Sequence, residues 1–481
     1  MTISRRLLYT YCLLVGAILS RCSAQVQAPA EAGKGGPISS ADRLYSGDQS
    51  SNTITVIDPS RNKVLGTISL GDPRLTDDLN PQYVRSASSH GLGFSRDGKY
   101  IVSLSVLTNS VIVIRTLDNT IVSETFVDRG PHEAFFSADN RTVWVGTRGV
   151  SSVNIVDGIN GGLIGRVPTA DGPSKVLFSP NGTVAYVNHI RAPVVSVIDV
   201  PSKTVMYNIT GLADNFSSDM MLSADGNSLW VAHKMTGQVS VIDLAARKIV
   251  SIEDTGPETN HPNFAVINGT THAFVTVAAL NETKVYKQPS SHQPPTFLTA
   301  VRASGIEPHG LWPSPDNTRM YVLNEHSDTM DVIDTRTLSI IHTLPIGQEG
   351  QALIYVAGAV PSGPGDQNLG TQGLITPPRP VNAIIPVAGP NILSNASALI
   401  TVRPLEGLDM FQVIGRNLRV NATYTAFARC SGCQSSVPLT PLLSFIATKT
   451  PSGCGGAPQV LGFFKWFGVY ELESVEVREG T

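Results

Sequence analysis

No cysteine occurs between residues 25 and 429, so that long stretch has no disulfide staples and depends on packing for its stability. Charge is also scarce. Asp, Glu, Lys and Arg make up 15% of the chain, against about 25% in an ordinary soluble domain. The formal net charge of −3 excludes a generally basic nucleic-acid binder, and the 41% hydrophobic content excludes a disordered tail. Aromatic residues are only 6%, and no long aromatic-lined or basic groove for nucleic acid is visible. After the first 19 residues no apolar run is long enough to span a membrane, and the chain end has no hydrophobic tail for a lipid anchor. A Gly-x-Ser-x-Gly elbow is missing too, so covalent serine hydrolysis has no support. What is plentiful is turn material, with 43 glycines and 32 prolines in 481 residues. That length is roughly three times the ~150 residues of a typical domain, and the composition points to a turn-rich β protein of more than one unit.

The N-terminus reads as a secretory leader. Arg5 and Arg6 precede an apolar run from Leu7 to Leu19, and Cys22-Ser23-Ala24 supplies small residues before Gln25. Cleavage after Ala24 removes three arginines and no acid, taking the formal charge from −3 to −6. Eight N-x-Ser/Thr sequons agree with export: Asn140, Asn181, Asn208, Asn215, Asn268, Asn281, Asn395 and Asn421. The expectation is a secreted, glycosylated protein with no transmembrane segment.

One phrase recurs along residues 42–357: an apolar strand, a Ser-x-Asp/Asn-Gly/Asn turn, a second strand, then a strand ending Val-Ile-Asp. The turns are Ser95-Arg96-Asp97-Gly98, Ser137-Ala138-Asp139-Asn140, Ser179-Pro180-Asn181-Gly182, Ser223-Ala224-Asp225-Gly226 and Ser314-Pro315-Asp316-Asn317. Asp-Gly and Asn-Gly tolerate the positive φ angles of tight hairpins. Four short strands in units of about 40–45 residues are the signature of a β-propeller. Residues 44–70 supply strands two to four of a unit without its first, and 351–356 form a lone strand with nothing after it. The economical solution joins them and closes a ring of seven blades. The fold class is therefore all-β: a seven-bladed β-propeller, followed by a small C-terminal β-sandwich. The domains expected are 1–24 signal peptide, 25–41 N-terminal segment, 42–357 propeller, 358–380 Gly/Pro-rich linker and 381–481 sandwich. Cys430-Ser431-Gly432-Cys433 lacks a second pair or a histidine partner, so it reads as part of one disulfide with an odd thiol left over; which two of Cys430, Cys433 and Cys454 pair stays open.

These repeats resemble the YVTN-type β-propeller family, through strand motifs such as Tyr186-Val187-Asn188-His189 over about 44–357. Asn268-Gly269 and Lys284-Val285-Tyr286-Lys287 depart from its pattern. The resemblance implies the propeller fold; the family spans enzymes, cofactor proteins and surface proteins.

Five residues before each turn serine stand His90, His132, Ser174, Ser218 and His309, with His261 and Gln351 at the matching places. That position opens the innermost strand, so these residues ring a common hub. Second strands end on the same face, at Thr147-Arg148, Asn188-His189, His233-Lys234 and Glu325-His326, with Arg191 nearby. Glu133, Asp219 and Glu307 adjoin the hub. Asn140, Asn181 and Asn268 map to the opposite face; Asn281 lies on the His-rich side.

Three functions fit this face. The first is a small-molecule enzyme or binder. The chain is similar to secreted propeller lactonases and carboxymuconate cyclases, a likeness that implies lactone opening or closure by a His/Arg/Glu cluster. His132, His261 or His309 would carry the proton and Arg148 or Arg191 would clamp a carboxylate, with His90, His189, His233, Lys234 and His326 lining the ligand. The second is a transition-metal site on His90, His132, His261 and His309, although no cofactor is required by the sequence. The third is a recognition disc for an extracellular protein partner. Against all three stands a plain alternative: imidazoles that hydrogen-bond a neighbouring blade and recur because one ancestral unit was duplicated.

Overall fold

The structure is a computed structural model that describes residues 28–71, 88–374, 381–390, 392–405, 408–431, 439–449, 455–456, 460–464 and 471–480. The leader over 1–24, part of the linker, Cys433 and Cys454 lie outside the described residues. The architecture is all-β, with short 3₁₀ turns and no α-helix among the described residues.

Seven four-stranded antiparallel sheets form among the described residues. Six are built from consecutive strands; blade 2, for example, is Ser89–Phe94, Tyr100–Ser105, Ser110–Arg115 and Thr120–Phe126. Blade 1 combines Arg43–Asp48, Thr53–Asp58 and Lys63–Ser69 with the distant strand Gly350–Val356, which pairs antiparallel to Arg43–Asp48. The innermost strands are then Gly350–Val356, Ser89–Phe94, Pro131–Phe136, Pro173–Phe178, Asp219–Leu222, Thr259–Ile267 and Pro308–Pro313 of blades 1 to 7, each touching the next around a closed ring.

The recurring turns work as their composition predicts. Each serine hydroxyl donates to the Asp or Asn two residues on, as Ser95 does to Asp97 at 2.7 Å and Ser314 to Asp316 at 2.7 Å. The closing Gly98, Asn140, Gly182, Gly226 and Asn317 all take positive φ. The inner strands crowd the axis: a Cβ on Gly91 or Gly93 would lie 1.8 Å from the carbonyl oxygen of His132 or Ala134. Aromatic rings fill the shaft lower down, where Phe94 meets Phe135 and Trp312 edge-on. Trp144, Trp230 and Tyr321 are buried between blades, as their repeated position implies.

Two flanking segments lie on the disc. Residues 28–40 cross the face bearing the serine turns. Ala28 and Ala32 are buried, the Gly35 N–H donates to the Pro315 carbonyl, and the Asn317 amide reaches the Gly33 carbonyl. On the C-terminal side, residues 361–374 are strapped to blades 1 and 2. Thr67 and Gly370 exchange backbone hydrogen bonds, and Asn119 donates to the carbonyls of Gly365 and Gln367. The expected linker is thus tied down over the part that is described.

Beyond it, Val381–Ala388 pairs antiparallel with Ser397–Leu405 along 381–386 and then parallel with Glu471–Glu479 at 387–388. One strand therefore passes from one sheet into the other, which joins two sheets around Phe411, Val413, Tyr424, Phe445 and Val477. The alternation pattern of the sequence had not singled out this strand.

Candidate functional site

Six of the inner strands are bulged at the channel mouth. The register slips between Ser89 and Gly91, Pro131 and Ala134, Pro173 and Val176, Thr259 and Pro262, Pro308 and Leu311, and, around Gln351, Gly350 and Ala352. A bulge suspends the strict alternation of a strand, so two successive side chains can turn the same way. His132 and Glu133, and Ser174 and Lys175, accordingly all reach the channel. The mouth has two layers instead of one ring.

In the outer layer His90 Nε2 and His132 Nε2 are 2.8 Å apart, His132 Nδ1 lies 3.1 Å from Ser174 Oγ, and His90 Nδ1 lies 3.2 Å from Gln49 Oε1. His261 and His309 meet with ring centroids 4.5 Å apart and their planes tilted by 55°. The His309 Nδ1–H donates to the Gln351 carbonyl at 2.9 Å. Burial, with Arg148 nearby, holds His90 down to about 3; burial likewise holds His132 and His309 far below the usual imidazole range. All three are neutral at physiological pH.

In the inner layer Lys175 Nζ sits 2.9 Å from Glu133 and 2.7 Å from Asp219, and Asp219 Oδ2 lies 2.7 Å from His261 Nδ1. Burial works against the Lys175 charge, yet the two carboxylates hold its affinity for the proton above the ordinary value. Burial alone would raise Asp219, but His261 and Lys175 pull it well below the carboxylate range, while burial wins at Glu133 and raises it. The space beneath is a cavity of about 20 Å³ measured for water centres, lined by Glu133, Lys175, Asp219 and His261 above and by Phe135 and Trp312 below. It has room for about one water, so a ligand larger than that must sit at the mouth.

A second buried cluster lies to one side, built by residues of blades 7 and 1 with Lys234 reaching in from blade 5. His326 stands between Glu307 at 3.3 Å and Glu349 at 3.6 Å, Lys234 pairs with Glu307 at 3.5 Å, and the Gln351 amide donates to Glu325. Burial and the neighbouring Glu307 push Glu325 up to about 8. The surrounding glutamates overcome burial and raise His326 to about 9.

The residues singled out from sequence thus fall into three groups. His90, His132, His261 and His309 converge on the mouth. Arg148, read as a rim residue, reaches inward instead: its Nε donates to Ser174 Oγ at 2.9 Å and its Nη2 to the Ser218 carbonyl at 3.3 Å. Burial lowers its pKa to about 10, still well above neutrality. Arg191 stays on the exposed rim, in a two-pronged pair with Asp171 at 2.6 and 2.8 Å. His189, His233 and His326, also expected on the rim, are fully buried. His189 and His233 meet the buried serines Ser196 and Ser240 at 2.9 Å, and burial lowers both to about 4, which is the plain structural use of a repeated histidine. Lys175, Gln49 and Glu349 were not identified from sequence.

For a metal, two groups bring carboxylate and imidazole atoms within 4.8 Å of one another: Glu133, Asp219 and His261, and Glu307, Glu325 and His326. Each already meets a lysine ammonium, Lys175 in the first and Lys234 in the second. The four hub histidines also spend ring nitrogens on one another, on Asp219, on Ser174 and on a backbone carbonyl. This donor set fits charge-paired hydrogen bonding better than a transition-metal centre.

No family model matches the chain. The Salmonella typhimurium protein YncE is 31% identical over 144 residues, which are 29% of this chain and 36% of YncE; a Salmonella typhi counterpart is 30% identical over the same length. The chain thus spans about a third of the length of the curated relatives it matches. Among solved structures, the Pseudomonas aeruginosa periplasmic gluconolactonase PpgL aligns over 66% of this chain and 99% of its own, with a TM-score of 0.53 and 15% identity. Kuenenia stuttgartiensis hydrazine synthase aligns over 64% of this chain and 94% of its own, with a TM-score of 0.51 and 17% identity. These likenesses show the propeller fold.

Proposed function

We propose that this is an exported, N-glycosylated propeller that binds a small carboxylate-bearing molecule at the His-rich mouth and opens or closes a lactone ring there. The observation that carries the reading is the Asp219–His261 pair beside Arg148. Export rests on the leader pattern and the sequons, of which Asn181, Asn208, Asn215, Asn268, Asn395 and Asn421 are exposed and Asn140 and Asn281 half-buried. The gluconolactonase neighbour shares only the fold, so the lactone reading stands on the mouth itself.

Asp219 Oδ2 lies 2.7 Å from His261 Nδ1, and a proton kept on Nδ1 by that carboxylate leaves Nε2 as the lone-pair nitrogen of an oriented base. In ring opening, His261 Nε2 takes a proton from water as the oxygen attacks the lactone carbonyl. The ester C–O bond breaks and the departing ring alkoxide recovers that proton from the imidazolium. The product is a hydroxy acid, which releases water's second proton to solvent; the resulting carboxylate faces the Arg148 guanidinium, with Nη1 unpaired among the described residues. Ring closure runs the same steps backwards. Lys175 holds Asp219 ionised throughout.

The test uses the full chain with D-glucono-δ-lactone in a pH-stat assay and gluconate in calorimetry. The expected outcome is turnover that falls by about a hundredfold or more in His261→Asn with gluconate binding kept. Arg148→Met is expected to weaken gluconate binding about tenfold or more. Absence of both turnover and binding removes the proposal for this substrate. Binding without turnover selects the second reading, a recognition disc, which the narrow shaft favours because it confines contact to the outer face.

A further inference from the structure

The buried cluster beside the mouth has one carboxyl group more than it has cations. His326 meets a carboxylate at each ring nitrogen, Glu307 at 3.3 Å and Glu349 at 3.6 Å, so both nitrogens keep their protons. Lys234 adds its ammonium to Glu307 at 3.5 Å. Glu307 and Glu349 thus have the two cations between them, and no cation pairs with Glu325 among the described residues. A third carboxylate there would be a buried charge without a partner, and an acid so placed keeps its proton. Glu325 Oε1 accepts amide N–H groups from Gln351 and, at 3.4 Å, from Gln49. The proton therefore resides on Oε2. Burial and Glu307 raise this acid to about 8, in keeping with the count.

His309 stands opposite. Its Nδ1 donates to the Gln351 carbonyl at 2.9 Å, and a carbonyl oxygen can only accept, so Nε2 of this neutral ring is a lone pair. That nitrogen lies 3.8 Å from Glu325 Oε2. The gap is too wide for a hydrogen bond, yet one oxygen placed in it would lie about 2.8 Å from both atoms. Neither atom has a hydrogen-bond partner among the described residues, although His309 is only 8% and Glu325 only 4% exposed. The oxygen that fits must accept from Glu325 and donate to His309. A hydroxyl does both. A carbonyl, an ether or a carboxylate would set lone pairs against the imidazole nitrogen.

We propose that Glu325 and His309 form a hydroxyl-binding subsite at the mouth, with the carboxylic acid as donor and the imidazole as acceptor. The His309 ring meets that of His261 with centroids 4.5 Å apart, so the hydroxyl held here belongs to the molecule whose carbonyl His261 serves. The proposal rests on the small-molecule reading above and narrows it. The ligand is a hydroxylated lactone or its open hydroxy acid, and a lactone with a bare hydrocarbon ring lacks the group that this pair recognises.

The test compares gluconate with hexanoate, a carboxylate of the same chain length without hydroxyls, by calorimetry on the full chain. Both are monoanions, so Coulomb effects of a changing mouth cancel in the ratio of their affinities. Ionisation turns the Glu325 donor into a second acceptor, and the single proton of a hydroxyl cannot serve both sides. The parent is expected to prefer gluconate by about tenfold or more at about pH 6.5 and to lose about tenfold of that preference by about pH 9. Glu325→Gln keeps an oxygen for Gln351 and Gln49 and turns an N–H that does not titrate into the gap. Its preference at about pH 9 is expected to exceed the parent's by about tenfold, a gain that a merely structural role would not give. No preference in the parent, a preference level with pH, or no gain in Glu325→Gln overturns the subsite. D-Glucitol, a polyol without a carboxylate, separates the two readings. If neither acid binds and glucitol does, with affinity lost at high pH, the carboxylate reading falls and the subsite stands; if glucitol fails as well, both fall.

Discussion

Lys175 is the residue on which the mouth's charges converge, and it is the one that positional reasoning passed over. Counting five residues back from each turn serine finds His90, His132, Ser174, Ser218 and His309, because duplication preserved that spacing. The same count sends the next residue to the other side of the strand. The bulges at 131–134 and 173–176 break that rule and bring Glu133 and Lys175 into the channel. Gln49 was missed for a different reason: it follows the strand Arg43–Asp48 and has no counterpart at the hub position of the repeat. Removing the ammonium leaves two buried acids facing each other, so Lys175→Met is expected to cost about 3–5 kcal/mol in denaturant unfolding. Lys234→Met, at the half-exposed edge of the other cluster, is expected to cost about 1–2 kcal/mol or less in the same measurement.

The pH response also belongs to single residues. Glu325 is raised from 4.5 to about 8 and His326 from 6.5 to about 9, so the folded chain retains protons that the unfolded chain releases. Stability therefore falls as pH rises through these windows. The thermal midpoint is expected to drop between pH 6.5 and 9, and Glu325→Gln to flatten the profile below about pH 8; scanning calorimetry at low ionic strength reads both. A parental midpoint that climbs across that range would contradict these assignments. On the acid side, His90, His189 and His233 are held at about 3 to 4, so their contribution is lost as pH falls below the ordinary imidazole range.

At the scale of elements, the four-strand rhythm and the closing strand were legible because each blade repeats the same turn chemistry. The sheet-switching strand Val381–Ala388 was not, because it divides its pairing between two neighbours and carries no single alternating face. Closure rests on Gly350–Val356, buried along its whole length, where the Tyr355 hydroxyl also donates to Asp42 at 2.6 Å. Ile354→Pro forces a fixed φ and a bulky ring into this fully buried closing strand and is expected to destabilise the propeller by about 3 kcal/mol or more, seen as a lower urea midpoint by circular dichroism. Ile341→Pro, in the exposed outermost strand of blade 7, serves as the mild control. Equal effects at the two sites would mean that closure carries no special weight.

At the scale of the whole molecule, one mouth of the channel carries the polar chemistry, and the serine-turn face is crossed by residues 28–40. The C-terminal unit touches the polar side through Arg416, paired two-pronged with Glu258 at 3.0 and 2.7 Å, just before the inner strand of blade 6. The clasp of the ring has a consequence in time. Its two strands are separated by roughly 300 residues, and synthesis at about 5–20 residues per second parts their appearance by on the order of 15–60 s. Throughout that interval Arg43–Asp48 has an open edge, and the stretch over 28–40 has no Pro315 or Asn317 to lie against. The part of this chain that is born first is among the last to find its place, and whatever escorts it must keep an unpaired β edge from other company for about a quarter of a minute to a full one.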